Sequence, residues 1–437
     1  MLHVATRLRD VLVPTWLPRD VSLIIAARAS MSAGRALAAV VTPIYLLSIG
    51  FDATLLGVLV ALTAVASAVM SAGVGLLSDR LGRRFFLIAI PLLTALGAFG
   101  FIFTRLYPLL FLFAALGSFG RGGGAGTGTV GPYQPAEQAL VTDAVPAAVR
   151  NTVFGRLALA SSAGALVGGL LAGLPQLAGR LALRGSDIYL PAFAVIAILA
   201  LASSLIVLPV RDVARRPTNR QGLITFPRRS LPLLLKLWST NSVNGLAVGF
   251  FGPFVTYWFF RRYGVGTESI GILYALINLA SMVSNLSAAP IARRLGLIRA
   301  IVLSRILSAV LLVAVALSPY FWLAGMIYGI RMVTQRVNLP LRQSYVMAMA
   351  QPEERASVAG LSNLPAQATS SLSPLLAGYL FQSVSLVLPF ELGALFQSIN
   401  GVMYYFFFRK MLPPEEVDEA AGASGTGPDI GGVGRRE

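Results

Sequence analysis

Arginines placed inside long apolar stretches are the side chains of this sequence best suited to bind a ligand. Arg35, Arg121 and Arg331 fall near the middle of such stretches, and Arg28 lies two helical turns before Arg35 on the same face. An ionised side chain in an apolar layer costs about 3 kcal/mol or more unless it faces water, a partner or a ligand. Because the guanidinium fork matches carboxylate and phosphate groups, the pattern indicates an anion-binding interior. For Arg121 and Arg331, pairing with helix carbonyls to hold the fold is the alternative.

Uncharged polar side chains at helical spacing could complete such a site. The candidates are Gln335, Asn244, Asn278, Asn363 and Gln367. Glu137 is the one acid at a depth useful for proton coupling. The sequence favours an ion pair of Glu137 with Arg150 or with the loop arginines over a role in proton coupling.

Several kinds of chemistry are excluded by composition. The chain has no cysteine and a single histidine, His3, so thiolate, disulfide and histidine-based sites are ruled out. It also lacks the Gly-x-x-x-x-Gly-Lys-Ser/Thr phosphate loop, which disfavours an ATP-driven pump. We therefore expect a protein that is not an enzyme and that uses no cofactor and no metal.

The overall composition requires a membrane. Of 437 residues, 56% are hydrophobic and only 12% are charged, whereas soluble domains carry about a quarter charged residues. A membrane-spanning helix needs roughly 20 residues, and the apolar runs predict twelve spans. They are 22–49, 53–77, 85–104, 107–141, 151–174, 188–209, 231–260, 267–291, 299–317, 320–350, 355–381 and 387–409. Glycines and prolines in the fourth span predict a bend there.

Basic residues are distributed unequally between the two sides of these spans. With the N-terminus inside, 21 Lys and Arg lie on the cytoplasmic side and five on the other, which predicts cytoplasmic termini in an inner-membrane protein. The predicted order is a cytoplasmic N-terminus (1–21), a six-helix bundle (22–209), a cytoplasmic linker (210–230), a second six-helix bundle (231–409) and a disordered cytoplasmic tail (410–437).

The two six-span halves repeat each other. Arg80-Leu81-Gly82 after span 2 returns as Arg294-Leu295-Gly296 after span 8. At an offset of 205, five residues recur, namely Pro135, Gln138, Arg150, Val153 and Gly155 as Pro340, Gln343, Arg355, Val358 and Gly360. Repeats of this kind are typical of secondary transporters, whose substrate site lies between the halves near mid-membrane. The predicted fold class is an all-α membrane protein with twelve transmembrane helices in two pseudo-repeated six-helix bundles.

The loop after span 2 carries a recognisable motif. Gly75-Leu76-Leu77-Ser78-Asp79-Arg80-Leu81-Gly82-Arg83-Arg84 matches the loop signature of the major facilitator superfamily, which the chain resembles over all twelve spans. The resemblance implies transport by alternating access, with this motif acting as a conformational latch. The latch residues are Gly75, Asp79, Arg80, Gly82, Arg83 and Arg84, with Asp143 and Arg150 from the loop between spans 4 and 5. A role as topology determinants alone is the alternative for the arginines. Residues 342–355 are similar to a bacterial branch of the superfamily.

Two further features resemble the superfamily. Arg121 looks like its span-4 arginine motif, with Arg331 as the counterpart in span 10. The glycines of span 5 follow the spacing of a motif found in many of its antiporters, although Gly169 stands where that motif has proline. Close packing of helices through small residues explains the same glycines, and we favour that interpretation.

These observations predict a secondary active transporter of a small organic solute, leaning to an anionic substrate and to efflux or exchange. Arg35 is the expected main counter-charge. A lipophilic multidrug/proton antiporter is the alternative, supported by the aromatic run in residues 250–260, for which an aromatic belt at the membrane interface is the simpler explanation. A non-transporting membrane receptor or assembly partner is the alternative from another class. We expect a monomer in the lipid bilayer that binds its substrate, with protons as the candidate coupling ion, and no nucleic acid.

Overall fold

The structure is a computed structural model that describes residues 17–119, 131–211, 229–284, 297–349 and 361–409, with Glu354 and Val358. The tail, most of the linker, Arg121 and the side chain of Asp79 lie outside the described residues, so the predictions on them stay predictions.

Helices account for nearly all of the described chain, and the described residues contain no strand. They are α1 (Arg19–Ser48), α2 (Ala53–Leu81), α3 (Arg83–Phe103), α4 (Tyr107–Gly117), α5 (Gln134–Ala144), α6 (Ala147–Leu171), α7 (Leu174–Arg180), α8 (Leu190–Val207), α9 (Leu231–Phe251), α10 (Val255–Tyr263), α11 (Thr267–Ser284), α12 (Leu297–Leu317), α13 (Phe321–Met349), α14 (Leu364–Ser383) and α15 (Leu388–Phe408). Every one of the twelve predicted spans therefore contains helix. Seven helical segments of the described chain are long and apolar enough to cross a membrane by length and composition alone.

Three spans consist of two helices each. The predicted bend in span 4 lies between α4, which ends at Gly117, and α5, which begins at Gln134; residues 120–130 lie outside the described residues. Span 5 runs beyond its predicted end at residue 174 and divides into α6 and α7. Span 7 divides into α9 and α10 at a 3-10 turn, Gly252–Phe254, because Pro253 has no N–H to donate to the preceding helical turn.

Each half is held together by its own helices. In the first half α1 packs against α6 and α8, and in the second half α9 packs against α14 and α15. Gly164 and Gly168 of α6 lie so close to the backbone of Ala29 and Ala33 in α1 that a Cβ would overlap it. These two glycines therefore serve close helix packing, as favoured from the sequence.

The aromatic run of span 7 belongs to the protein core. Phe251, Phe254, Trp258 and Phe259 are almost completely buried, and Trp258 packs on Phe390 with ring centroids 4.7 Å apart. The prediction of an aromatic belt at the membrane interface was wrong. Trp258 and Phe259 pack on Phe390 and Phe321 of the second half, whereas Phe254 lines a small cavity that it shares with α1 and α2 of the first half.

The two halves contact each other most extensively through α2 with α14 and α6 with α11, and further through α1 with α10 and α11 and through α7 with α11. We call the face of the bundle where α1 begins and α15 ends the terminal face, and the other the opposite face. At the opposite face Gly57 of α2 lies 3.2 Å, measured from an ideal Cβ, from the Cα of Gly378 in α14. In the same way Gly169 of α6 lies 2.8 Å from the carbonyl oxygen of Gly271 in α11. The backbones of the halves are therefore in direct contact at this face.

The same helices separate toward the terminal face. Gly75 lies 18 residues after Gly57, which is five full turns, so both glycines share one side of α2. No described atom lies within 4 Å of a Cβ at Gly75, nor at Gly155 near the start of α6. Across the described part of the chain, the bundle is thus closed at the opposite face and open between these helices at the terminal face.

Candidate functional site

A buried ion pair joins spans 1 and 4. The Arg28 guanidinium on α1 donates to Oε2 of Glu137 in the first turn of α5, and the two side chains are 11% and 1% exposed. A carboxylate in the first turn is favoured by the helix dipole. The sequence favoured Arg150 or the loop arginines as partners of Glu137, and this was wrong. The reason is that α5 starts afresh at Gln134 and turns Glu137 toward α1.

Arg35 lies at the interruption of span 4. Its guanidinium donates to the carbonyl oxygen of Ser118 at 3.4 Å and occupies the space that a Cβ on Gly131 would need. Ser118 has a left-handed backbone with φ of 54°, and Gly131 has φ of 86°. Inside a bilayer, carbonyls released by a helix break must find donors within the protein. Arg35 is the donor for the Ser118 carbonyl, and the absence of a side chain at Gly131 leaves space for its guanidinium.

Arg331 is enclosed within the second half. It is completely buried on α13, donates to Oε1 of Gln397 on α15 at 3.3 Å, and its guanidinium carbon lies 4.4 Å from the centroid of the Phe251 ring. One turn further, the Gln335 amide donates to Ser308 Oγ on α12 at 3.2 Å. Both predicted site residues thus point into the second half, toward neutral partners.

The predicted amides divide between different neighbours. Asn244 accepts a hydrogen bond from Arg305 of α12, and Asn278 donates to the Tyr274 carbonyl of its own helix at 2.9 Å. Asn363 and Gln367 lie at the start of α14, where Gln367 is exposed. The structure therefore divides the predicted residues between the two halves and, within the second half, among separate partners, and does not bring them into a single cluster.

Sequence reasoning missed three buried polar residues of the second half. Arg305 on α12 is buried and donates to Asn244. Gln397 and Asn400 of α15 are both fully buried, and Asn400 donates to the Thr240 carbonyl of α9. The i, i+3 spacing of Gln397 and Asn400 in an apolar helix is the sequence signal that could have identified these two residues.

The predicted latch lies at the terminal face. Arg83 at the start of α3 forms an ion pair with Asp143 near the end of α5. Arg84 donates to the Leu208 carbonyl just after α8. These contacts fasten α3 to α5 and α8 within the first half. Gly82, whose φ of 92° favours glycine, provides the turn between α2 and α3.

The remaining latch residues lie near this point. Arg80 is exposed, and Arg150 is half-buried in the first turns of α6. Gly75 faces open space.

This arrangement of two six-span halves around an arginine-bearing interior defines the class: a helical membrane transporter. A family model described as the Major Facilitator Superfamily matches residues 24–334 and 237–431. The chain belongs to the major facilitator superfamily, and it is a membrane transporter of the secondary type rather than an enzyme.

Several known proteins are similar to it. An uncharacterised membrane protein of Saccharomyces cerevisiae is 21% identical over 377 residues, covering 78% of this chain and 83% of its own. The multidrug resistance protein MdtG of Dickeya zeae is 24% identical over 378 residues, covering 83% and 87%. The crystal structure of a bacterial homologue of the human lysosomal transporter Spinster, inward-facing and unoccupied, matches with a TM-score of 0.67 at 14% identity, covering 90% of this chain and 97% of that one.

Proposed function

We propose that this protein exports or exchanges a small organic anion by alternating access, with Arg35 as the main counter-charge and with Arg28 or Arg331 assisting. The observation that carries the proposal is the charge balance of the interior. Glu137 is the one acid near the middle of a span, and it is already engaged by Arg28. The interior therefore keeps an excess of positive charge in which an anion is favoured.

The two arginines offer different geometry to such an anion. Arg35 lies at a break in the backbone of span 4, where irregular structure is tolerated in a membrane when it lines a cavity. Arg331 is held by an amide and an aromatic ring, both of which a ligand carboxylate could replace. Arg121, Gln335, Asn244, Asn278, Asn363 and Gln367 are the further candidates for contact with the substrate.

The contacts between the halves support alternating access. Helix backbones meet at the opposite face, whereas Gly75 and Gly155 face open space at the terminal face. With the termini in the cytoplasm, as the distribution of basic residues predicts, this is an inward-open state. Closing at Gly75 and opening at Gly57 would carry the substrate site to the outside, with the residues of the latch favouring that outward-open state.

Direction and coupling follow from the charge of the substrate. An inside-negative potential of 100 mV drives one negative charge outward with about 2.3 kcal/mol. Efflux of an anion therefore needs no added cation, whereas uptake does. Glu137 is the candidate proton carrier, since protonation would release Arg28 from the ion pair.

The test is uptake and counterflow of labelled organic anions in proteoliposomes, with and without a pH gradient. Arg35→Ala should abolish anion transport and Arg35→Lys should retain part of it, because lysine keeps the charge but loses the fork. Glu137→Gln should keep counterflow and lose the response to the pH gradient. Arg105→Ala, at an exposed ion pair with Asp187, is the matched control. Transport of a neutral solute that is unaffected by Arg35→Ala would refute the proposal.

A second candidate is efflux of lipophilic drugs, which the similarity to the multidrug resistance protein MdtG favours. Of the aromatic residues of span 7, Trp258 packs within the second half, whereas Phe254 and Tyr257 line a small apolar cavity between the halves, as a lipophilic substrate would require. A drug-susceptibility panel on a deletion strain, complemented with the wild-type gene or with Arg35→Ala, separates the two candidates. Drug resistance restored equally by both genes would favour the multidrug function.

A further inference from the structure

Two glutamines form hydrogen bonds across the boundary between the halves at the opposite face. Gln382, near the end of α14 in the second half, accepts through Oε1 from the backbone N–H of Ala53 at 3.2 Å. Ala53 is the first residue of α2 in the first half and is completely buried. The first four N–H groups of a helix have no partner within it, so Gln382 satisfies one of these from the other half.

The second glutamine makes the reciprocal contact. Gln176 of α7 in the first half meets the start of α11 in the second. With its amide oriented to match its neighbours, Oε1 accepts from the N–H of Glu268 at 3.2 Å and Nε2 donates to Thr267 Oγ1 at 3.1 Å. Thr267 is the first residue of α11 and is almost fully buried. Each half therefore caps a helix of the other.

The internal repeat relates these two contacts. The offset of 214 residues that brings Arg80 onto Arg294 also brings Ala53 onto Thr267 and Gly57 onto Gly271. On the other side of each contact, Gln176 and Gln382 are 206 residues apart, close to the offset of 205 found for spans 4 and 5. The repeat thus supplies the same device twice: a helix crossing at glycine, and a glutamine over the N-terminus of the partner helix.

We propose that Gln176 and Gln382 are paired gating residues, whose hydrogen bonds hold the opposite face closed and set the equilibrium between the two open states. The inference rests on the alternating access of the proposed function, not on the identity of the substrate. Opening the opposite face separates α2 from α14 and α7 from α11, and all three hydrogen bonds of the two glutamines must then break. The negative end of each amide dipole also complements the positive end of a helix.

The position of the bonds makes them specific to one state. Gln382 belongs to one half and its partner N–H to the other, and the same is true of Gln176. Neither contact fastens helices of the same half, so losing it leaves each six-helix bundle intact. By contrast, Thr104 at the same face accepts from the N–H of Leu106 at 3.2 Å within the first half, and its loss should not move the equilibrium.

The experiment measures the equilibrium without any substrate. Because the chain has no cysteine, pairs of introduced cysteines can carry spin labels with no background. The exposed positions Leu181 and Tyr320 report on the opposite face, one in each half, and Arg211 and Arg409 report on the terminal face. Distances are recorded in lipid nanodiscs by pulsed electron spin resonance.

The variants are Gln382→Met, Gln176→Met and their combination, which keep side-chain volume but lose the hydrogen bonds. Thr104→Val is the matched control, and Gly57→Val, which forces α2 from α14, marks the outward-open distances. We expect Gln382→Met, which loses one hydrogen bond between the halves, to raise the ratio of outward-open to inward-open molecules roughly fivefold, and Gln176→Met, which loses two, to raise it further. The double variant should raise the ratio by the product of the two single effects, since distant contacts add in free energy.

The outcomes separate the two ideas. If Gly57→Val lengthens the Leu181 to Tyr320 distance while the glutamine variants behave like Thr104→Val, the gating role is overturned. If, instead, Gly57→Val changes neither the Leu181 to Tyr320 distance nor the Arg211 to Arg409 distance, alternating access itself is refuted. A shift in the glutamine variants together with absent anion transport would support the gate and refute only the proposed substrate.

Discussion

Replacing the partners of the Arg28–Glu137 ion pair, singly and together, gives the most direct test of how the first half is held together. Glu137→Leu leaves the Arg28 charge buried, and Arg28→Met leaves the Glu137 charge buried. Removing one partner of a buried ion pair costs about 3–5 kcal/mol, because the remaining charge has lost its counter-charge. Glu137 is 1% exposed and Arg28 is 11% exposed, so water can screen little of this.

The double variant Arg28→Met/Glu137→Leu should behave differently. It removes both charges and fills the space with apolar atoms, a change that is often neutral or stabilising for buried pairs. Since Nε of Arg28 has no hydrogen-bond partner among the described residues, the native pair is incompletely satisfied there, which lowers the cost of losing it. We therefore expect each single variant to lose about 3 kcal/mol of unfolding free energy, and the double variant to lose less than about 1 kcal/mol.

The assay is reversible unfolding in mixed detergent micelles, followed by tryptophan fluorescence. The matched control is the surface pair of Arg105 and Asp187, whose side chains are 60% and 45% exposed. Its single variants, Arg105→Met and Asp187→Leu, should each cost under about 1 kcal/mol. If the Arg28 and Glu137 variants lose no more than these, or if their losses simply add in the double variant, the buried pair is not a coupled unit and the reasoning fails.

Three further results are expected. Arg83→Ala should lower the free energy of unfolding by less than about 1 kcal/mol, because its ion pair with Asp143 is partly exposed, yet it should reduce transport; a large loss of stability would instead make the pair a fold element. Hydrogen bonds donated by Ser230 hold the pKa of Glu354 below its ordinary value. Its contact with the start of α9 is therefore present above about pH 4.5 and is lost as the pH falls through the lowered pKa, so Glu354→Gln should flatten the pH dependence of hydrogen exchange there. Gly75→Val should fold normally, since it faces open space, but should keep the terminal face open in spin-label distances.

The spans and the repeat could be predicted because both depend on patterns within continuous helices. A run of about 20 apolar residues has few alternatives to a membrane helix, and the family match and the helices confirmed the twelve-span class. The break in span 7 was not predicted, although Gly252-Pro253 marks it. Both residues also occur inside membrane helices, so their presence alone does not indicate a break.

The pairing of Glu137 in span 4 with Arg28 could not be predicted from the sequence, for a different reason. Arg28 and Arg35 are seven residues apart in one continuous helix, about two turns, so their side chains lie on the same face. α4 and α5 are not one continuous helix, because Ser118 and Gly131, which lie between them, take left-handed backbone conformations. Spacing along the sequence therefore does not indicate which faces of the two helices coincide. The direction of Glu137 was therefore set by where α5 restarts.

The interruption of span 4 also determines what the interior of the first half can do. An unbroken helix would keep its carbonyls bonded to its own N–H groups, and Arg35 would then face the bilayer interior with no backbone acceptor at Ser118. The restart of α5 brings an acid to Arg28, and the end of α4 brings a carbonyl to Arg35. A carbonyl does not cancel a charge, whereas a carboxylate does. The same break thus pairs Arg28 with a carboxylate and gives Arg35 a neutral backbone acceptor, which makes Arg28 the less favourable of the two for attracting an anion.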